Sequence, residues 1–103
     1  MILASFTKQP AENLDYDIDF SAFLSDGDVL ASTGNPAVPS PLNVTVTPTG
    51  LTLGPTFVTD AGSTIKQWLS GGTNGTRYKI TLTATSNGGR VKQVEFAVRV
   101  KDY

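Results

Sequence analysis

Residues 77–101 read RYKITLTATSNGGRVKQVEFAVRVK, and the alternation inside this stretch decides the fold class. Tyr78, Ile80, Leu82 and Ala84 alternate with Arg77, Lys79, Thr81, Thr83 and Thr85; Val94, Phe96, Val98 and Val100 alternate with Gln93, Glu95, Ala97, Arg99 and Lys101. Period two with one apolar face is the signature of a half-buried antiparallel strand. Parity also selects the turn. A two-residue loop would set Leu82 opposite Glu95, apolar against charged. A three-residue loop, Asn87-Gly88-Gly89, sets Leu82 opposite Val94, Ile80 opposite Phe96 and Tyr78 opposite Val98. Every apolar residue then lies on one side. Such loops place their last residue in the left-handed region, which Gly89 adopts without strain.

Working outward, the same alternation recurs. Tyr16, Ile18 and Phe20 alternate with Asp15, Asp17 and Asp19, and Phe23-Leu24 leads to a turn at Ser25-Asp26-Gly27-Asp28. Val29 to Thr33 reads as a short strand, Gly34 to Pro41 as a proline-punctuated loop, and Leu42, Val44 and Val46 as the inward set of another strand. Leu51 to Leu53 and Thr56 to Thr59 read as two short strands around Gly54-Pro55, and Ser63 to Leu69 as one more. No window carries a helical period through three turns. About seven strands without helical crossovers predict an antiparallel two-layer sandwich, with a small closed barrel as the competing architecture.

Composition narrows the chemistry. The 103 residues carry a formal net charge of −1, 14 threonines and 9 valines, with neither cysteine nor histidine. Disulfides, Cys/His zinc sites and triads built on histidine are therefore excluded. Asp15, Asp17 and Asp19 share a strand face at roughly 7 Å intervals, too far apart for one cation. They read better as a solvated face guarding a sheet edge. Gly71, Gly72, Gly75, Gly88 and Gly89 open no helix and read as turn residues, not a phosphate cradle. Neither a catalytic constellation, a cofactor nor a metal site is expected. The short apolar start, Met1 to Ala4, is too brief for a secretory signal, and no run reaches the length of a membrane span.

Charge is segregated, −6 over residues 1–60 and +5 over residues 61–103. The expectation is an intramolecular match, with Asp15, Asp17 and Asp19 lying against Arg99 and Lys101. Polar complementarity between neighbouring copies is the functional alternative. Nucleic acid is not expected, because no aromatic shares a face with the basic residues to stack bases. Trp68 is the candidate interface anchor. Ile65, Gln67 and Leu69 share one strand face and Lys66 and Trp68 the other, so an inward Leu69 turns Trp68 and Lys66 outward. A local bulge would reverse that assignment.

Leu69-Ser70-Gly71-Gly72 through Gly75 to Tyr78, with Asn87-Gly88-Gly89-Arg90 closing the hairpin, resembles the corner and final hairpin of immunoglobulin-like and fibronectin type III domains. The resemblance implies that Tyr78 bonds back across the glycine-rich corner, with a backbone carbonyl as the nearest partner. The whole chain is also similar to small immunoglobulin-like structural proteins of tailed bacteriophages and prophages, among them fiber–tail adaptors. The matching pieces are Phe6-Thr7-Lys8-Gln9-Pro10, Asp15 to Phe20, Phe23 to Asp28, Leu69 to Gly72, and Gly88-Gly89-Arg90. This likeness implies an N-terminal extension or arm over residues 1–13 and one immunoglobulin-like sandwich over 14–103. It implies a non-enzymatic tail or head–tail component acting through protein–protein contacts. Its partners would be other phage structural proteins, with copies of itself in a ring as one form, and neither nucleic acid nor membrane. It would reside in the bacterial cytoplasm during assembly and then in the virion. The alternative is a carbohydrate- or cell-surface-binding module, which needs an exposed aromatic platform beyond Trp68.

Overall fold

The computed structural model describes residues 2–34, 37–40 and 42–102. The chain is all-β. Its strands are β1 (Ile2–Lys8), β2 (Asn13–Asp19), β3 (Ser32–Thr33), β4 (Val38–Pro39), β5 (Leu42–Thr47), β6 (Leu51–Thr59), β7 (Thr64–Gly71), β8 (Arg77–Thr85) and β9 (Val91–Val100). They form a four-stranded sheet in the order β1-β9-β8-β5, a three-stranded sheet in the order β2-β7-β6, and a small β3–β4 pair.

The C-terminal hairpin has the register that the alternation requires. Tyr78 pairs with Val98, Ile80 with Phe96 and Leu82 with Val94. Ser86 N–H donates to the Arg90 carbonyl at 2.8 Å, leaving the triplet Asn87–Gly89 as the loop, and Gly89 has φ +88°. The inward set of β8 and β9 meets Tyr16 and Ile18 of β2, Leu51 and Val58 of β6, and Ile65 and Leu69 of β7 in one core. Phe6 packs against this core from β1 and makes an aromatic trio with Tyr16 and Phe96, with ring centroids 4.8–6.4 Å apart. Each such pair contributes about 0.5–1.5 kcal/mol beyond area burial.

Three expectations change. Ile2–Lys8, within residues 1–13 expected as an N-terminal extension or arm, is a strand of the large sheet, parallel to β9 with Phe6 beside Val98 and Lys8 beside Val100. Its alternation is too short to announce a strand until β9 supplies the partner. The two short strands around Gly54-Pro55 are one strand, β6, whose register against β7 slips by one residue between Leu53 and Thr56. That slip inverts the facing: Leu53 lies toward the core on one side of it, Val58 on the other. Finally, within the stretch expected to be loop, Val38–Pro39 pairs with Ser32–Thr33; positions 35, 36 and 41 lie outside the described residues.

Candidate functional site

The expected motif pieces meet in pairs at opposite ends of the β8–β9 hairpin. At one end Lys8, in the first piece, reaches the glycine corner. Its side chain is buried, and Nζ donates to the carbonyls of Gly71 at 2.6 Å, Gln9 at 2.7 Å and Pro10 at 3.4 Å. Burial lowers the ammonium's pKa, against the opposing field of Glu12 and Tyr78. The residue type alone does not mark this lysine as different from any surface base. Its position two residues after inward-facing Phe6 is the one available signal.

Tyr78 is fully buried beside this corner, and its hydroxyl accepts a hydrogen bond from Thr73 N–H at 2.9 Å. The bond across the corner exists, but the backbone group is a donor, not the carbonyl expected. The physical reason lies in the corner's backbone: Gly71 and Gly72 have φ +71° and +99°, and Thr73 N–H aims at the ring hydroxyl. The Thr73 side chain first, then its backbone N–H, favours the phenolate and lowers the tyrosine's pKa against the opposing effect of burial. Gly72 has no room for a side chain, since a Cβ there would stand 2.6 Å from Val100 Cγ2. Gly75 closes the following turn, donating its N–H to the Val100 carbonyl at 2.8 Å.

At the other end Asp28 gathers the hairpin tip. Its Oδ1 accepts from Gly88 N–H at 2.9 Å and Val29 N–H at 3.0 Å, and Oδ2 from Arg90 Nη1 at 3.0 Å. Asn87 N–H donates to the Val29 carbonyl at 2.8 Å, and Lys92 Nζ lies 4.4 Å above the Phe23 ring. Hydrogen bonds from Ser86, then Gly88, Arg90 and Val29, hold the Asp28 carboxyl below the usual range, against some desolvation. The residues of both turn motifs therefore act as clamps joining distant segments.

The candidate interface lies on the three-stranded sheet. Ile65, Gln67 and Leu69 are buried, whereas Lys66 and Trp68 are half-exposed, so Trp68 faces outward without a bulge in its own strand. Lys66 Nζ sits 2.9 Å from Asp15 Oδ2 and 3.6 Å from Asp17 Oδ1. Asp15, Asp17 and Asp19 were expected against Arg99 and Lys101; β2 instead pairs with β7 in the other sheet, which sets two of them against Lys66. The acids line the outer edge strand of that sheet, as an edge-guarding face requires.

The one-residue slip in β6 adds Phe57 to this face, directly beside Lys66 in the register and half-exposed. Counting by twos from Leu51 and Leu53 would have placed Phe57 inward; the Gly54-Pro55 pair was the sequence signal that parity breaks there. Gln67 fixes the slip from the core side. Its amide donates to the carbonyls of Gly54 at 3.1 Å and Trp68 at 2.9 Å and accepts from Thr56 Oγ1. Gly54 lies so close to Trp68 that a Cβ on it would stand 2.9 Å from the tryptophan's own Cβ. Trp68, Lys66 and Phe57 thus form a flat patch flanked by Asp15 and Asp17.

Among the described residues there is no concave pocket and no cluster of three or more acidic side chains placed to hold a metal ion. No helix among them is long and apolar enough to cross a membrane. No curated protein matches the chain. A family model does: that of the podophage GP4 fiber-tail adaptor protein gp77, over residues 8–99. The match begins at the buried lysine and runs through both clamps and the outer patch to the last strand, and the chain belongs to this family of phage tail adaptors, structural components of the tail.

Proposed function

We propose that this tail component works by protein–protein contact through the outer face of its three-stranded sheet, with Trp68 as the anchor and Lys66 as the charged group beside it. The observation that carries the reading is a tryptophan and a phenylalanine, Phe57, both half-exposed on the outer face of the three-stranded sheet next to Lys66 and its acidic partners. Exposed aromatic rings ringed by paired charges are the composition of interface centres. The fold is read as immunoglobulin-like. Its support is the sheet order, the parallel first strand against the last, and the tyrosine opening the penultimate strand. The partners are other structural proteins of the same particle, and the site of action is the virion tail after assembly in the bacterial cytoplasm. No reaction is assigned.

The test is capture of the tail and fiber proteins of the same phage by the purified chain. Trp68→Ala is expected to weaken capture by about 30-fold or more, the scale of a hot-spot residue, with an unchanged melting temperature. Wild-type capture by that variant would refute the reading. A second reading, sugar binding, gains from Phe57, which supplies the second ring that a platform needs; binding of glycans in place of proteins by the wild-type chain, lost in Trp68→Ala, would select it.

A further inference from the structure

The four edges of the two sheets differ in how they are protected. The β2 edge carries Asp15, Asp17 and Asp19. The β6 edge is broken by the slip at Gly54-Pro55 and covered in part by the chain before β5, where Val58 N–H donates to the Ala37 carbonyl at 2.9 Å. The β1 edge has its own register irregularity between Ile2 and Ser5. The β5 edge has none of these devices. Leu42–Thr47 contains no charge, no proline and no glycine, and it keeps an unbroken register with β8 from Leu42 to Thr47. Among the described residues no strand pairs with its outer side. Natural edges are normally blunted by charge, proline or a bulge, because a regular uncharged edge templates another strand.

We infer that β5 is an assembly edge that pairs, antiparallel and about a two-fold axis, with β5 of a second copy of this chain. The strand is complementary to itself. With Val44 facing its own counterpart, Asn43 lies opposite Thr45, the polar residues share one face and the valines the other, and the two four-stranded sheets become continuous. Val44 and Val46 pack on the core but remain half-exposed, unlike the fully buried Ile80 and Leu82 of the neighbouring strand. The added strand covers them. A single strand contact is small beside the roughly 1,200–2,000 Å² of a standard interface, so the pairing is reversible and depends on concentration. It lies on the other sheet from Trp68 and leaves that face free for a different partner.

Sedimentation of the full chain over a wide concentration range tests this. The wild-type chain is expected to pass from monomer to dimer, and Thr45→Lys and Asn43→Lys, both at exposed positions, are expected to remain monomeric with unchanged circular dichroism and melting temperature. Hydrogen exchange read at both ends of the range is expected to slow at β5 amides alone. A wild-type chain monomeric at roughly millimolar concentration overturns the inference. So does a dimer that survives both lysine variants; if that dimer is instead lost in Trp68→Ala, self-association belongs to the outer patch.

Discussion

The two ends of the β8–β9 hairpin are held shut by different physics. At the corner end the closing groups are buried: an ammonium, Lys8, on three backbone carbonyls, and the Tyr78 hydroxyl beneath Thr73 N–H. At the tip end the closing group is a carboxylate, Asp28, with its guanidinium partner half in water. A buried ion without its partners is costly, whereas a pair whose guanidinium is half in water contributes less, because water replaces that member readily. The corner is therefore expected to be the less tolerant of the two ends, above all at Gly72 and Lys8.

Glycine substitutions separate the ends most sharply. Gly72→Ala is expected to cost about 3–5 kcal/mol, because the new methyl meets Val100 in the packed interior and the backbone sits at φ +99°. Gly88→Ala introduces close contacts too, at 2.7 Å from Arg90 Nη1 and 2.9 Å from Asp28 Oδ2, but these are the ends of side chains that can move. Its cost is expected to stay below about 1 kcal/mol. Urea unfolding of both variants measures the difference, and equal losses would break the contrast. Next in size, Lys8→Met keeps the apolar stem but removes the ammonium from the carbonyls of Gly71, Gln9 and Pro10, of which Gln9 keeps a second donor, Glu12 N–H at 3.1 Å. A loss of about 2–3 kcal/mol is expected in the same measurement. Tyr78→Phe removes one hydrogen bond and leaves Thr73 N–H near solvent, so about 1 kcal/mol is expected; no loss would place the hydroxyl in water.

The smallest effect is at the tip and shows as pH dependence. The Asp28 carboxyl has its pKa lowered by folding, so its contribution is fully present above the unfolded value of about 3.9 and is lost as pH falls below that through the folded value. Thermal melts between about pH 6 and pH 3 should fall less steeply for Asp28→Asn than for the wild-type chain. Parallel curves would assign the acid sensitivity to other carboxylates, with Asp15, lowered by its bond to Lys66, the next to test.

The hairpin was legible because its information is local. Alternation, loop length and Gly89 together allow a single register, and a slip of one residue would turn Phe96 to water and Glu95 to the core. For Trp68 alternation left two directions open, outward or turned in by a bulge, and the burial of Leu69 decides for outward. The direction of Phe57 was not legible, because the extra residue at Gly54-Pro55 exchanges the two faces partway along β6. The partner of the Asp15 and Asp17 carboxylates was not legible either. Sequence gives the sign of a charge and the face of a strand, but Lys66 or Arg99 becomes the neighbour only when sheet order is settled.

What residue order determined alone was the periodicity: extended strands, their facing and their turns, all set by steric preference and burial over spans of a few residues. What tertiary structure decided was adjacency. Lys8 meets Gly71 across 63 positions and Arg90 meets Asp28 across 62, and such encounters depend on which strands lie side by side and which edges stay open. Pairing energies between strands are small and similar, so the choice among them is made by the shared core that all of them must cover at once.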